Sequence, residues 1–219
     1  KSLGCESPNY LIKGLTEFNL LTGGKTILLA CLCAGISVIF CIMLHSFGKV
    51  FKTFSHNPYE RVFFGGTVIL CITLLLGTTR YSGTGIEVIV SAIGGTARNT
   101  DFFWKMLFTA ITLACGYKGG EIIPSFFVGA TFGCVIAPVL GLSSSLGAAI
   151  GMVSVFCGVT NCPIASLLIA LELFGKAPIL YFLLAIAISY MLSGYYSLYK
   201  TQIIAVSKYK NEYVDKKTH

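Results

Sequence analysis

The chain has 219 residues, 55% of them hydrophobic and 11% charged, and a net charge of +7. A soluble domain carries about twice that charged fraction, and so few polar residues do not cover a water-facing surface. The composition therefore points to the bilayer as solvent. Basic residues gather in two places, at Lys49, Lys52 and Arg61, and from Lys200 through Lys208, Lys210, Lys216 and Lys217. This clustering fits cytoplasmic segments under the positive-inside bias, with an even number of crossings between them, and does not mark a nucleic-acid partner.

No Asp, Glu, Lys, Arg or His occurs from Thr26 to Leu44, from Val62 to Thr79, or from Ala177 to Tyr199. Each run approaches the ~20 residues that cross ~30 Å of hydrocarbon as a helix. A longer run, Ile122 to Leu171, holds two crossings or more, broken by Gly and Pro. The alternating pattern of a membrane β-barrel is absent.

Residues 1–24 mix Lys, Glu and Asn with short apolar pieces and read as a loop or interfacial lead-in. They carry no signal peptide, and the leading Lys1 suggests a chain cut from a longer one. The membrane part is expected over 25–206 and a basic cytoplasmic tail over 207–219. A first helix is expected from Lys25 to Phe54, then a basic turn with Asn57-Pro58 as breaker. A second helix spans Glu60 to Gly77. Ile86 to Ile93 is too short to cross and reads as a half-helix. The next helix runs from Asp101, whose charge suits a helix start, to Ala114. After the loop Gly116 to Gly120, a helix begins near Glu121, with Pro124 in its first turn, and reaches Leu140. Further helices follow from Ser143 to Val159, from Pro163 to Gly175 with Asn161 or Cys162 as cap, and from Pro178 to Gly194. Tyr195 to Val206 is expected as a last short helix leaving the membrane. Short helices broken at membrane depth are what transporters use to aim helix ends at an ion.

Nine cysteines occur. Seven of them, Cys31, Cys33, Cys41, Cys71, Cys115, Cys134 and Cys157, lie in apolar segments and read as small apolar residues. Cys157 and Cys162 lack zinc-type spacing, so neither a disulfide framework nor a metal site is expected. His45, His56 and His219 lie in basic segments, which leaves an intramembrane enzyme without a base or a ligand set; no catalytic residue and no cofactor is expected.

The chemistry concentrates in Gly116-Tyr117-Lys118-Gly119-Gly120-Glu121-Ile122-Ile123-Pro124. Glycine lets backbone approach a ligand closely. The helix start that follows offers unpaired N–H groups and a positive dipole end, which suit an anion. A plain Gly-rich turn is the other reading. Lys118 and Glu121 stand in this loop between apolar helices, where charge is costly and functional by default. The alternatives are a Lys118 that snorkels to the interface and a Glu121 that only neutralises the helix dipole. A Glu121 facing the anion path would repel the anion when ionised and admit it when protonated, which couples proton and anion at one site. Glu172 reads as a helix-end charge near the interface. A phenol is a good anion donor, but Tyr190, Tyr195, Tyr196, Tyr199 and Tyr209 also fit an interfacial belt, and spacing does not choose among them.

Gly119-Gly120-Glu121-Ile122-Ile123-Pro124, with Gly129-Ala130 downstream, resembles the second-half anion motif of the CLC family, commonly Gly-Gly-Ile-Phe-x-Pro followed by Gly-Ala. Cys162-Pro163-Ile164-Ala165 with Glu172, and then Tyr195 to Tyr199, resemble the later family elements in the same order. The resemblance spans about residues 25–208. It implies an all-α polytopic membrane fold, a CLC-type half with broken and re-entrant helices, one of two inverted repeats. It implies a halide site at Gly119, Gly120, Glu121, Ile122 and Ile123, with Tyr199 on the family's anion-binding Tyr, and a homodimer through 163–190. Gly-Tyr-Lys-Gly-Gly-Glu and the Asn161…Glu172-Leu173-Phe174-Gly175 pattern resemble the fluoride/proton antiporter branch. Ile123 departs from that branch, which often carries Thr there. The family's first-half Gly-Ser-Gly loop and gating Glu do not occur in this sequence. The expectation is a second half that needs a missing N-terminal half. Its partners would be halide, protons and the lipid bilayer of a bacterial plasma membrane, with the C-terminus cytoplasmic. A chloride channel, a chloride/proton exchanger and an inactive partial gene product are the alternatives.

Overall fold

The computed structural model describes residues 10–54, 57–199, 201–210 and 212–218. His56, Lys200 and His219 of the basic segments, and the first nine residues of the lead-in, lie outside them. The described helices are α1 (Leu20–Phe54), α2 (Pro58–Leu76), α3 (Ile86–Ile93), α4 (Asp101–Ala114), α5 (Ile122–Ile136, extended by a 3-10 turn at Ala137–Leu140), α6 (Ser144–Thr160), α7 (Pro163–Phe174) and α8 (Ile179–Leu192). Two strands, β1 (Ile203–Val206) and β2 (Tyr213–Lys217), follow among the described residues. The segments Leu20–Thr53, Pro58–Leu76 and Ile122–Leu140 are long and apolar enough to cross a membrane.

α1 begins at Leu20, ahead of the expected Lys25. Asn19 and Thr22 stop each other's backbone from fraying: the Thr22 N–H donates to Asn19 Oδ1 and the Asn19 N–H to Thr22 Oγ1, both at 2.9 Å. This reciprocal cap starts a helix early enough to hold Gly23 and Gly24 inside it. The lead-in is anchored, since the Tyr181 hydroxyl donates to Thr16 O at 3.1 Å and the Ser143 hydroxyl to Lys13 O at 2.6 Å.

α6 is the centre of the domain, buried from Ser145 to Thr160. Its closest neighbour is α5, and small residues set that approach. Gly129 and Gly133 on α5 face Gly147 and Gly151 on α6, so two four-residue glycine spacings meet. A Cβ on Gly133 would lie 2.8 Å from the Gly147 carbonyl carbon, and one on Gly151 would lie 2.9 Å from Gly133 Cα. Between membrane helices such close packing supplies association energy that apolar burial alone does not. α2 packs mainly along α4 and leaves most of its surface exposed.

The 77–85 loop is tied to α4 by Asp101, which is fully buried. Asp101 accepts from Arg80 Nη2 at 3.0 Å, from the Tyr81 hydroxyl at 2.7 Å and from the Arg98 N–H at 3.2 Å. The expected helix-start charge is therefore also the hub of an interior ion pair. One turn on, Lys105 is 3% exposed and donates to Tyr81 O at 3.2 Å and to Gly83 O.

Asn161 ends α6 in the left-handed conformation (φ 57°), and Cys162 precedes α7. The expected helix from Tyr195 to Val206 does not form. α8 stops short of Gly194, which is also left-handed (φ 57°). Residues 195–199 run as turn and coil. Ile203–Val206 pairs antiparallel with Tyr213–Lys217 in the register Ile203↔Lys217 and Ile204↔Lys216, with an irregularity before Val206↔Tyr213. A β-branched run beside a polar turn prefers a cross-strand partner to an isolated short helix. The tail is thus half of a hairpin.

Candidate anion site

The site starts with a break in the helical hydrogen-bond ladder. α4 ends at Ala114, and Gly116 turns the chain at φ 99°, a conformation costly for any residue with a Cβ. Tyr117 turns away, and its hydroxyl donates to Val62 O on α2 at 3.1 Å. The backbone then runs through Gly119 and Gly120 into α5. The N–H groups of Gly119, Gly120, Glu121, Ile122 and Ile123 donate to no acceptor among the described residues; the first amide of this stretch to do so is that of Ser125, to Glu121 O at 3.2 Å. Five consecutive free donors stand at the positive end of a 15-residue helix.

These residues line an open cavity of about 720 Å³ whose other wall is Leu198, Tyr199 and Thr201. Every sequence-predicted site residue (Gly119, Gly120, Glu121, Ile122, Ile123 and Tyr199) is on that lining. Tyr199 is 42% exposed, and its phenol makes no hydrogen bond among the described residues. Glu121 is the charged side chain among the described lining residues. Lys118 is exposed beside the cavity, and Glu172 is exposed on α7, away from its lining. Sequence reasoning missed Thr201.

The Tyr199 backbone is clamped from several elements. The Leu198 N–H donates to Val159 O on α6 at 2.9 Å, the Tyr199 N–H to Ser197 Oγ at 3.2 Å, and Thr218 Oγ1 to Tyr199 O at 2.8 Å. Gln202 Nε2 donates to Thr160 O at 3.0 Å, and Asn161 Nδ2 to Tyr196 O at 2.9 Å. His45 Nε2 on α1 lies 3.4 Å from Leu198 O. Lys208, just past β1, locks the hairpin down. Its Nζ donates to Asn161 Oδ1, to Tyr190 O at 2.8 Å and to Ser193 Oγ at 3.2 Å, and sits 4.2 Å from the centre of the Tyr190 ring. The hairpin that replaced the expected helix thus supports the expected phenol.

Burial pushes the Lys208 amine down to about 8 from 10.5. Between these values the unfolded chain holds the proton and the folded chain releases it. Stability should therefore be flat below about pH 8 and rise with pH towards 10.5. Thermal unfolding in detergent from about pH 7 to 10 should show this rise in the native chain and a weaker one in Lys208→Met.

A second cavity, of about 350 Å³, lies against the glycine backbone. It shares Gly119, Gly120 and Ile123 with the first, and Tyr81, Ser82, Gly83, Thr84, Lys105 and Thr109 also line it. No cluster of metal-ligating side chains occurs among the described residues.

A helix-end donor array opposite a phenol, in a bundle of broken apolar helices, has the chemistry that suits a small anion. The voltage gated chloride channel family model matches residues 3–194, so the chain belongs to the CLC family of integral membrane proteins. It is 35% identical over 178 residues to a chloride/fluoride channel protein of Pseudomonas syringae pv. tomato, covering 78% of this chain and 39% of that one. It is 22% identical over 184 residues to an uncharacterized protein of Methanocaldococcus jannaschii, covering 75% of this chain and 47% of that one. Its fold superposes on the crystal structure of a CLC-type fluoride/proton antiporter with a TM-score of 0.85 and 28% identity, over 90% of this chain and 50% of the antiporter chain. The resemblance read from the sequence is borne out for the family and its fluoride branch. The chain spans less than half the length of the two curated relatives.

Proposed function

We propose that this chain supplies the second-half anion site of a fluoride/proton antiporter. The observation that carries the reading is the run of amides from Gly119 to Ile123, sharing a cavity with the phenol of Tyr199, none of them hydrogen-bonded among the described residues. Transport of a small, strongly hydrated anion requires donors that replace its water without reorganising. Backbone N–H groups at a helix start are fixed in place, carry no net charge, and release the anion more readily than a lysine would. In a low-dielectric setting each such donor counts for more than in water. Glu121, just before the first helical amides, supplies the coupling. Its carboxylate opposes an anion in the same cavity, and protonation removes the opposition, so the two ions use the site in alternation.

The match to half of an antiporter chain supports a first-half partner that completes the site. An inverted-repeat fold places the ion between the halves. The helices over 163–190 present exposed apolar residues, including Ile164, Leu168, Leu180 and Leu183, and are proposed as the homodimer face. The membrane is proposed to be a bacterial plasma membrane with the C-terminal hairpin on the cytoplasmic side. Ile123 favours a second reading, chloride transport, because it brings a methyl surface where the fluoride branch often has a hydroxyl.

Halide-electrode efflux assays on the complete protein in liposomes, this chain together with its first half, test both. Antiport predicts fluoride efflux that a proton gradient drives uphill. Efflux of chloride in preference to fluoride supports the second reading. Absence of any halide flux from folded protein leaves the inactive partial product.

A further inference from the structure

We infer that the C-terminal hairpin is a docking face for anionic lipid headgroups, and that lipid seated on it steadies Tyr199. The inference deepens the proposed function and rests on its reading of Tyr199 as an anion ligand. The hairpin is seated on the last turn of α8. Lys208 Nζ donates to Tyr190 O at 2.8 Å, and the Tyr209 hydroxyl donates to Met191 O at 2.7 Å. Met191 and Leu192 beside these bonds are exposed. The Tyr195 and Tyr209 rings meet edge-on with centres 6.2 Å apart. Tyrosines gathered at the end of an apolar helix mark the level where hydrocarbon gives way to headgroups.

The outward side chains do not suit bulk water. Ile204 is the buried residue of β1, whereas Ile203, Val206, Tyr209, Tyr213 and Val214 are exposed, Tyr213 to 89%. Exposed Lys210, Lys216 and Lys217 stand among them. Lys216 Nζ lies 4.8 Å from the centre of the Tyr195 ring, which brings an ammonium to the tyrosine level. Aliphatic and aromatic groups interleaved with lysine fit an interfacial layer, where the apolar parts enter and the ammonium groups meet phosphate. The end of α1 lies on the same side of the protein, since His45 Nε2 is 3.4 Å from Leu198 O and Lys49 follows one turn later. Among the described residues of that side, exposed lysines outnumber exposed carboxylates: Lys49, Lys52, Lys210, Lys216 and Lys217 against Glu60, Glu212 and Asp215. This sign selects anionic lipid over zwitterionic lipid. The link to the anion site is one residue long. Thr218, next to Lys217, is buried and donates its hydroxyl to Tyr199 O at 2.8 Å and its N–H to Gln202 O at 3.1 Å. A two-stranded hairpin is marginal by itself, so a ligand that binds only the closed hairpin stabilises it, and the Tyr199 clamp with it, by mass action.

Hydrogen exchange on the complete protein, this chain together with its first half, in lipid nanodiscs tests the docking face. The discs hold either phosphatidylcholine alone or phosphatidylcholine mixed with phosphatidylglycerol. Amides of residues 201–218 should exchange roughly tenfold to a hundredfold more slowly in the mixed discs. The triple variant Lys210→Gln, Lys216→Gln and Lys217→Gln should lose that difference and exchange like the native protein in phosphatidylcholine alone. Equal exchange of the native protein in both discs, as a second copy or a protein segment over the hairpin would give, overturns the docking face. So does a difference that survives in the triple variant, or one that soluble glycerol phosphate reproduces in phosphatidylcholine discs. Halide titration in the same discs reads the link to Tyr199, with tighter binding expected in the mixed discs for the native protein and not for the triple variant. Halide binding that ignores the lipid overturns the link and leaves the proposed function standing. Lipid-dependent exchange with no halide binding in either disc keeps the docking face and overturns the proposed function.

Discussion

Gly133→Val is expected to abolish folding of the domain. A Cβ at this position would meet the Gly147 carbonyl and the Gly151 Cα, which are backbone atoms of the central helix and cannot rotate aside. Overpacking a core normally costs about 1–3 kcal/mol. Here the added branches force two helices apart along their whole contact, and the expected cost is about 4 kcal/mol or more, in the exceptional range for a single substitution. Size exclusion and thermal unfolding in detergent should show aggregated or unfolded protein. Gly35→Ala is the matched control. Nothing lies within 4 Å of a Cβ there, and α1 should accept the methyl without loss. A Gly133→Val protein that stays monodisperse with a native melting temperature would remove the α5–α6 seam from its central place. The consequence reaches the proposed anion site, because α5 starts with Ile122 and Ile123, the last two of its five amide donors.

Glu121→Gln is expected to separate anion flow from proton flow. The substitution keeps the size of the side chain and leaves the backbone donors from Gly119 to Ile123 in place. It removes a negative charge from the cavity wall. Two unit charges about 4 Å apart repel by about 4 kcal/mol at an effective dielectric constant of about 20, so relief of even part of this should raise halide affinity at neutral pH by about tenfold or more. Downhill halide efflux from liposomes should persist, and its response to a proton gradient should vanish. A Glu121→Gln protein that still drives halide uphill with an imposed pH gradient would remove Glu121 from the coupling role.

The two substitutions act on different levels of legibility. The loop around Glu121 was visible in the sequence because charge and glycine are conspicuous inside a chain so poor in charge. The order and rough bounds of α2 to α8 were visible for a related reason. In an apolar chain the Gly and Pro positions are the main punctuation, and they end helices through backbone geometry that needs no tertiary partner. The Gly129/Gly133 and Gly147/Gly151 spacings were present in the sequence too, but a spacing on one helix has no meaning until a second one faces it. Lys105 carried a readable signal, a lone lysine between apolar neighbours on α4, and passed unused because its burial depends on the 77–85 loop folding over it.

The hairpin shows the limit most clearly. Short apolar runs are ambiguous between helix and strand, and Ile203–Val206 became a strand because Tyr213–Lys217 lies alongside it. The same applies to Tyr199, which no local pattern separates from Tyr195 or Tyr196. Its place opposite the free amides follows from bonds to α6, to Gln202 and to Thr218, which lie far from the glycine loop in sequence. By itself, then, the sequence determined the solvent, the helices and the donor-rich loop, because these depend on composition and on neighbours a few residues away. Tertiary structure alone decided what stands across the cavity and which charge lies buried behind it, because those are contacts between distant segments whose free energy exists only once the chain has closed on itself.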